Sequence, residues 1–99
     1  MPPQLIQTLK LIQNHRRALQ SRGVRRIGVF GSVAVGTSTT SSDVDVIVEF
    51  KKKSFDSYMD VKHLLEDATR RRVDLVLTSA IKPRLRKTIL KQVVYAPGF

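Results

Sequence analysis

Apolar residues recur at helical spacing at Leu5, Ile6, Leu9, Ile12 and Leu19, so the chain opens on an amphipathic helix that Gly23 is suited to stop. Pro2 and Pro3 form a frayed entry to it. The run Arg26-Ile27-Gly28-Val29-Phe30-Gly31 predicts a short apolar strand leading into a glycine–serine turn. From Asp43 to Phe50 the letters alternate, with Val44, Val46, Val48 and Phe50 on one side and Asp43, Asp45, Ile47 and Glu49 on the other. That period of two is a strand's. Lys51-Lys52-Lys53 ends it, and Ser54 can cap a helix carrying Phe55, Tyr58, Met59, Val61, Leu64, Leu65 and Ala68. Arg72 to Thr78 reads as a third strand, Val73, Leu75 and Leu77 facing opposite to Asp74 and Val76. Thr78 or Ser79 is placed to cap a last helix through Leu85, Ile89, Leu90 and Val93, and Tyr95 to Phe99 is left as a short tail. Helix, strand, helical turn, strand, helix, strand, helix predicts an α/β (α+β) fold: a small mixed β-sheet with helices packed against it.

A length of 99 residues suits a single domain, 1–99. No apolar run approaches the roughly 18–20 residues that span a bilayer, so no membrane contact is expected. The start lacks the pattern of a signal peptide. Cysteine is absent, which excludes disulfides, thiolate metal sites and cysteine nucleophiles. These features together suit a cytoplasmic protein.

Lys and Arg number 18 against 8 acids, a formal charge of +10. All the acids lie between Asp43 and Asp74, so a basic surface surrounds a small acidic island. Such a surface concentrates anions: nucleoside triphosphates, RNA or an acidic protein. The basic last helix, with Lys82, Arg84, Arg86, Lys87 and Lys91, suits an acidic partner or nucleic acid, or is simply a solvated face. Arg70-Arg71-Arg72 and Lys51-Lys52-Lys53 read as strand-end solubility and register devices.

Asp43-Val44-Asp45 carries the chemistry. Residues two apart on a strand share a face, about 6.6–6.8 Å between Cα atoms. Two carboxylates at that spacing converge on one divalent ion, or on a pair roughly 3.5–4 Å apart. With no cation they repel. A hard oxygen-only site needs a third ligand. Glu49 is about 13 Å along the strand from Asp45, too far. Asp74, embedded in an apolar run on the next strand, is the expected third ligand. His15 and His63 read as surface or boundary residues, not as catalytic bases. Gly31-Ser32 closes the first strand, where a glycine allows close backbone approach and Ser32 offers a hydroxyl to a phosphate oxygen.

Phe30-Gly31-Ser32-Val33-Ala34-Val35-Gly36, ten residues after Ser32 the set Asp43-Val44-Asp45, and then Arg72-Val73-Asp74-Leu75-Val76 together resemble the DNA polymerase beta-like nucleotidyltransferase superfamily. The resemblance is nearest to its minimal nucleotidyltransferase branch, the antitoxins of HEPN/MNT toxin–antitoxin pairs, and it covers nearly the whole chain. It implies the polymerase beta-like fold, with Asp43, Asp45 and Asp74 as catalytic, metal-binding carboxylates and Gly31 and Ser32 as nucleotide-binding residues. Two Mg2+ ions, with Mn2+ the substitute, and ATP or another nucleoside triphosphate are the implied cofactor and substrate. The implied reaction transfers AMP to a hydroxyl, a tyrosine of an HEPN-domain toxin, within a hetero-oligomer. Where this branch often carries arginines in the turn, the chain has Val33 and Val35, which favours an alternative: an antitoxin that acts by binding alone. Arg25, Arg26, Lys82 and Arg84 are candidates to replace the lost charge. A basic RNA-binding protein is a third reading, opposed by six aromatic residues that fall mostly at core-like positions.

Overall fold

Strands β1 (Val24–Phe30), β2 (Val44–Phe50), β3 (Val73–Leu77) and β4 (Val94–Tyr95) form one sheet in the order β3-β2-β1-β4. The computed structural model describes all residues, 1–99. β1 runs antiparallel to β2 and β4, and β2 runs parallel to β3. The mixed sheet with packed helices is the fold the apolar pattern predicts.

Helices fill both faces. On one, α1 (Pro3–Asn14), α2 (Arg16–Ser21) and α4 (Phe55–Thr69) bury Leu5, Leu9, Ile12, Leu19, Val61 and Leu65 against Val29, Val44, Val46, Val48, Phe50, Val73 and Leu75. Each such side chain contributes about 1.5–3 kcal/mol through its burial. The opposite face is smaller: Phe30, Ile47 and Ile81 pack with Ile89 and Val93 of α5 (Pro83–Gln92). That second layer explains Ile47, which sits on the polar side of its strand yet is fully buried.

Three local expectations are corrected. The first helix is two, broken at His15, whose Nδ1 lies 2.8 Å from the Leu11 carbonyl oxygen and competes for the helical acceptor there. Neither Thr78 nor Ser79 caps α5. They form a short 3-10 turn (Thr78–Ala80), and α5 begins at Pro83, whose fixed φ starts a helix without a side-chain cap. The tail is not free: β4 pairs Tyr95 with Gly28 and Val94 with Val29, and the Ala96 N–H donates to the Ile27 carbonyl at 2.9 Å. Ser54 does cap α4, its Oγ accepting from the Ser57 N–H at 3.1 Å.

Gly28 is what lets β4 and the end of α5 close on β1. A Cβ there would stand 2.7 Å from Val93 Cγ1 and 3.1 Å from the Val94 carbonyl oxygen. Gly28→Ala is therefore expected to destabilise the protein by about 1–3 kcal/mol, the usual cost of overpacking, read as a lower midpoint in urea unfolding.

Candidate active site

Backbone pairing builds the site. β2 and β3 are in parallel register with Asp45 opposite Asp74, and β1 places Phe30 opposite Asp45 on the other side. Across the sheet the order is therefore Asp74, Asp45, then the turn that begins at Gly31. Asp43 precedes β2, held by a turn in which the Ser42 N–H donates to the Thr39 carbonyl at 3.1 Å. The loop before it is pinned by Arg71, which donates to the Thr39 and Thr40 carbonyls and to Gln4 Oε1. The triple-arginine run is thus partly a structural device, as Arg71 fixes the segment that delivers Asp43.

Asp45 is half-buried, whereas Asp43 and Asp74 are exposed. Asp74 was expected to be embedded among apolar neighbours. It is open because β3 is an edge strand and the apolar side of α5 covers Phe30, Ile47 and Ile81 rather than the Asp74 end. Burial, then Asp74, then Asp43 push the Asp45 carboxyl above its ordinary pKa. Both ion pairs of the protein lie elsewhere, Arg22 with Asp60 at 4.0 Å and Arg25 with Glu49 at 3.8 Å. None of the three aspartates accepts a protein hydrogen bond. The side chains do not close on one point tightly enough to make a finished three-ligand site, as like charges on adjacent strands splay apart. The donor set, three unpaired carboxylates carried at one end of two adjacent strands, nevertheless suits a hard divalent cation.

Gly31 sits against this cluster at φ +70, in the left-handed region. A Cβ would fall on the Asp45 carboxylate, 2.9 Å from its Cγ. Only glycine combines that conformation with that approach. Ser32 is half-buried, and its hydroxyl has no partner within the protein. The helical turn α3 (Gly31–Val35) turns Val33 fully into the core and leaves Val35 exposed. An arginine at position 33 would have no route to a phosphate, so the contrast with the branch reduces to Val35. Of the cations proposed to compensate, Arg25 pairs with Glu49 and Arg26 stacks 3.8 Å over the Tyr95 ring, while Lys82 and Arg84 stand at the start of α5. Glu49 is away from the cluster, opposite Arg26. His15 and His63 line a separate cavity with Arg22 and Asp60.

Residues 13–96 match the family described as polymerase beta, nucleotidyltransferase. The chain belongs to that family. It is 40% identical over 87 residues to the protein adenylyltransferase MntA of Thermococcus cleftensis, covering 86% of this chain and 88% of that protein. A solved structure provisionally assigned as a minimal nucleotidyltransferase superposes with a TM-score of 0.70 at 33% identity, over 87% of this chain and 93% of that one. The fold alone is shared with the tri-AMPylated Shewanella oneidensis HEPN toxin in complex with MNT antitoxin, where the match has a TM-score of 0.63 at 20% identity and covers 92% and 73%. The polymerase beta-like nucleotidyltransferase fold and the enzyme class implied by the Gly31-Ser32 and Asp43-Val44-Asp45 set are therefore both borne out. No helix of this nucleotidyltransferase is long and apolar enough to cross a membrane.

A carboxyl whose pKa is raised by folding destabilises the folded state once it ionises, so the strain from Asp45 grows as pH rises through that value. Asp45→Asn removes the charge. In the presence of chelator at neutral pH, it is expected to melt a few degrees above the wild type in a thermal unfolding scan.

Proposed function

We propose that this nucleotidyltransferase is an Mg2+-dependent protein adenylyltransferase that transfers AMP from ATP to a tyrosine hydroxyl of an HEPN-domain toxin and so acts as its antitoxin. The observation that carries the reading is the in-register pairing of Asp45 with Asp74 beside Gly31. The adenylyltransferase name of the Thermococcus relative and the HEPN complex of the Shewanella neighbour supply the nucleotide and the partner class.

Asp43, Asp45 and Asp74 would hold the metal, two ions in the fullest arrangement, with Mn2+ able to substitute. When bound, the ions lower the pKa of the attacking hydroxyl and neutralise charge on the triphosphate. The chain's own contribution is positional. Gly31, with no side chain, lets the Asp45 carboxylate lie directly against the turn that would hold the triphosphate. Ser32 offers a hydroxyl donor to a phosphate oxygen. Asp45, set by its strand pairing between Asp74 and the Gly31 turn, would fix where the metal sits relative to both. The acceptor oxygen bonds to the α-phosphorus as the bond to the pyrophosphate oxygen breaks. Pyrophosphate leaves, and the hydroxyl proton is released. No side-chain nucleophile takes part.

The test incubates the protein with α-labelled ATP, Mg2+ and an HEPN-domain toxin of the kind held in the Shewanella complex. Label is expected on a tyrosine of the HEPN protein and is expected to vanish with chelator. Loss of even indirect metal partners costs about 10–100-fold in affinity or activity, so Asp43→Asn, Asp45→Asn and Asp74→Asn are each expected to lose about 100-fold or more. Inhibition of the toxin by the Asp43→Asn, Asp45→Asn double variant, with no label transferred by the wild type, would overturn the catalytic reading in favour of binding alone. Millimolar Mg2+ is also expected to raise the wild-type melting midpoint by linkage, and to raise it less in the Asp45→Asn variant.

A further inference from the structure

The arginine run between α4 and β3 is only partly explained by its hold on the neighbouring loop. Arg71 is spent on the Thr39 and Thr40 carbonyls and on Gln4. Arg70 and Arg72 are exposed, and neither guanidinium has a partner, since the ion pairs of the protein join Arg22 to Asp60 and Arg25 to Glu49. With residues 40–43, the three arginines line a polar pocket of about 270 Å³ that contains no apolar side chain. Asp43 is its only acid, so the pocket is cationic although it adjoins the carboxylate cluster.

Two observations set this pocket apart from a solvated surface. The first is conformational. Arg70 is the one non-glycine residue at positive φ, +58, in the place after α4 where glycine is usual. A charge that serves solubility alone needs no such backbone, and glycine would hold it at lower cost. The second is register. Val44 pairs with Val73 and Asp45 with Asp74, and the Val44 N–H donates to the Arg72 carbonyl at 2.9 Å. The ladder therefore runs on to set Arg72 beside Asp43, and alternation puts Arg72 on the face that carries Asp43, Asp45 and Asp74. The loop adds a hydroxyl. Ser42 Oγ accepts from the Thr39 N–H at 2.8 Å, which fixes the hydroxyl and leaves it able to donate.

Guanidinium forks and a hydroxyl are the donors that suit an oxyanion, a carboxylate or a phosphate. Position assigns the substrate that brings it. The Gly31 turn, where the triphosphate would rest, follows β1 on one side of β2, whereas Arg72 leads into β3 on the other. Displacement at phosphorus is in line, so the acceptor hydroxyl stands opposite the leaving pyrophosphate, on the β3 side. The pocket lies on that flank of Asp43.

We infer that Arg70, Arg72 and Ser42 form an oxyanion subsite for the acceptor, which binds a carboxylate or phosphate group carried beside the reactive hydroxyl. The inference deepens the proposed transfer and takes its direction of approach from it, yet the two fail separately.

The test combines Arg70→Gly, which removes a charge and relieves the backbone, with Arg72→Gln. Arg70→Gly alone is expected to melt no lower than wild type. With labelled ATP, Mg2+ and an HEPN-domain toxin of the kind held in the Shewanella complex, the double variant is expected to raise KM for the toxin about tenfold or more and to leave KM for ATP within about twofold. Calorimetric titration of the toxin without nucleotide is expected to show the same loss, with a shallower dependence on salt. Lys52→Gln with Lys53→Gln removes equal charge beyond the other end of β2 and is expected to leave both KM values unchanged. A raised KM for ATP with an unchanged KM for the toxin would assign the subsite to the nucleotide and overturn the inference. Equal weakening by the lysine control, wild-type affinity in the double variant, or no binding of toxin by the wild type would overturn it too. If the wild type transfers no label while its grip on the toxin still depends on Arg70 and Arg72, the proposed reaction fails and the subsite stands.

Discussion

Parallel pairing of β2 with β3 puts two carboxylates side by side, Asp45 against Asp74, and the rest of the structure is arranged to tolerate that. Opposed like charges on neighbouring strands are destabilising. Here they are joined by Asp43, and the middle one is partly withdrawn from water, so its carboxyl is pushed above the normal range. The register cannot slip to relieve this. A one-residue shift would move Val44, Val46, Val48, Val73 and Leu75 out of the main core, and those side chains are all but fully buried. Hydrophobic burial on one face of the sheet thus holds an unfavourable electrostatic arrangement on the other. Such an arrangement becomes favourable when a dication sits between the charges, which is why the acidic cluster reads as functional rather than structural.

The same division explains how much of the fold could be read from the letters. Strands β1, β2 and β3 and helix α4 were legible because one strong period ran through each, and Ser54 marked a helix start by its own chemistry. β4 was not legible. It is two residues long and exists because Gly28, on a different strand, leaves room for it. That is a tertiary cause, invisible to any window on Val94 and Tyr95. Ile47 shows the converse: alternation assigned it to the polar side, and α5 covers that side too. Of the site, all five residues stand around one corner of the sheet. The exposure of Asp74 was hidden because the sequence of β3 does not say that it is an edge strand.

Phe55 and the arginine run show a subtler limit. Periodicity gives the phase of a residue, not whether the sheet extends beneath it. Phe55 is correctly phased and still out in solvent, since α4 begins beyond the edge that Tyr58 covers. Arg70, Arg71 and Arg72 look interchangeable in the sequence. In the fold Arg71 ties the serine- and threonine-rich loop to α1 through Gln4, whose Oε1 also accepts from Ser38, while Arg70 ends α4 in a left-handed conformation. Charge alone did not distinguish a strut from a solvated neighbour.

The contrast at the turn between Gly31 and Gly36 bears on whether the protein is an enzyme or only a binding antitoxin. If Val33 and Val35 both faced a nucleotide, the loss of two cationic positions would weaken any hold on a triphosphate and favour binding alone. Val33, however, is wholly enclosed in the main core, where a guanidinium would have to be buried without a partner, at a cost of several kcal/mol. An arginine at that position would demand a different packing beneath α3, so its absence reports on this core and not on catalysis. What is left is a single exposed position, Val35, set against three unpaired carboxylates and a glycine whose missing side chain lets the Asp45 carboxylate lie against the turn. A protein that only bound its partner would gain stability by replacing Asp45, the carboxylate strained by burial and by its two neighbours, with a neutral residue. That strained carboxylate, set beside a glycine held at positive φ, favours the catalytic reading over binding alone.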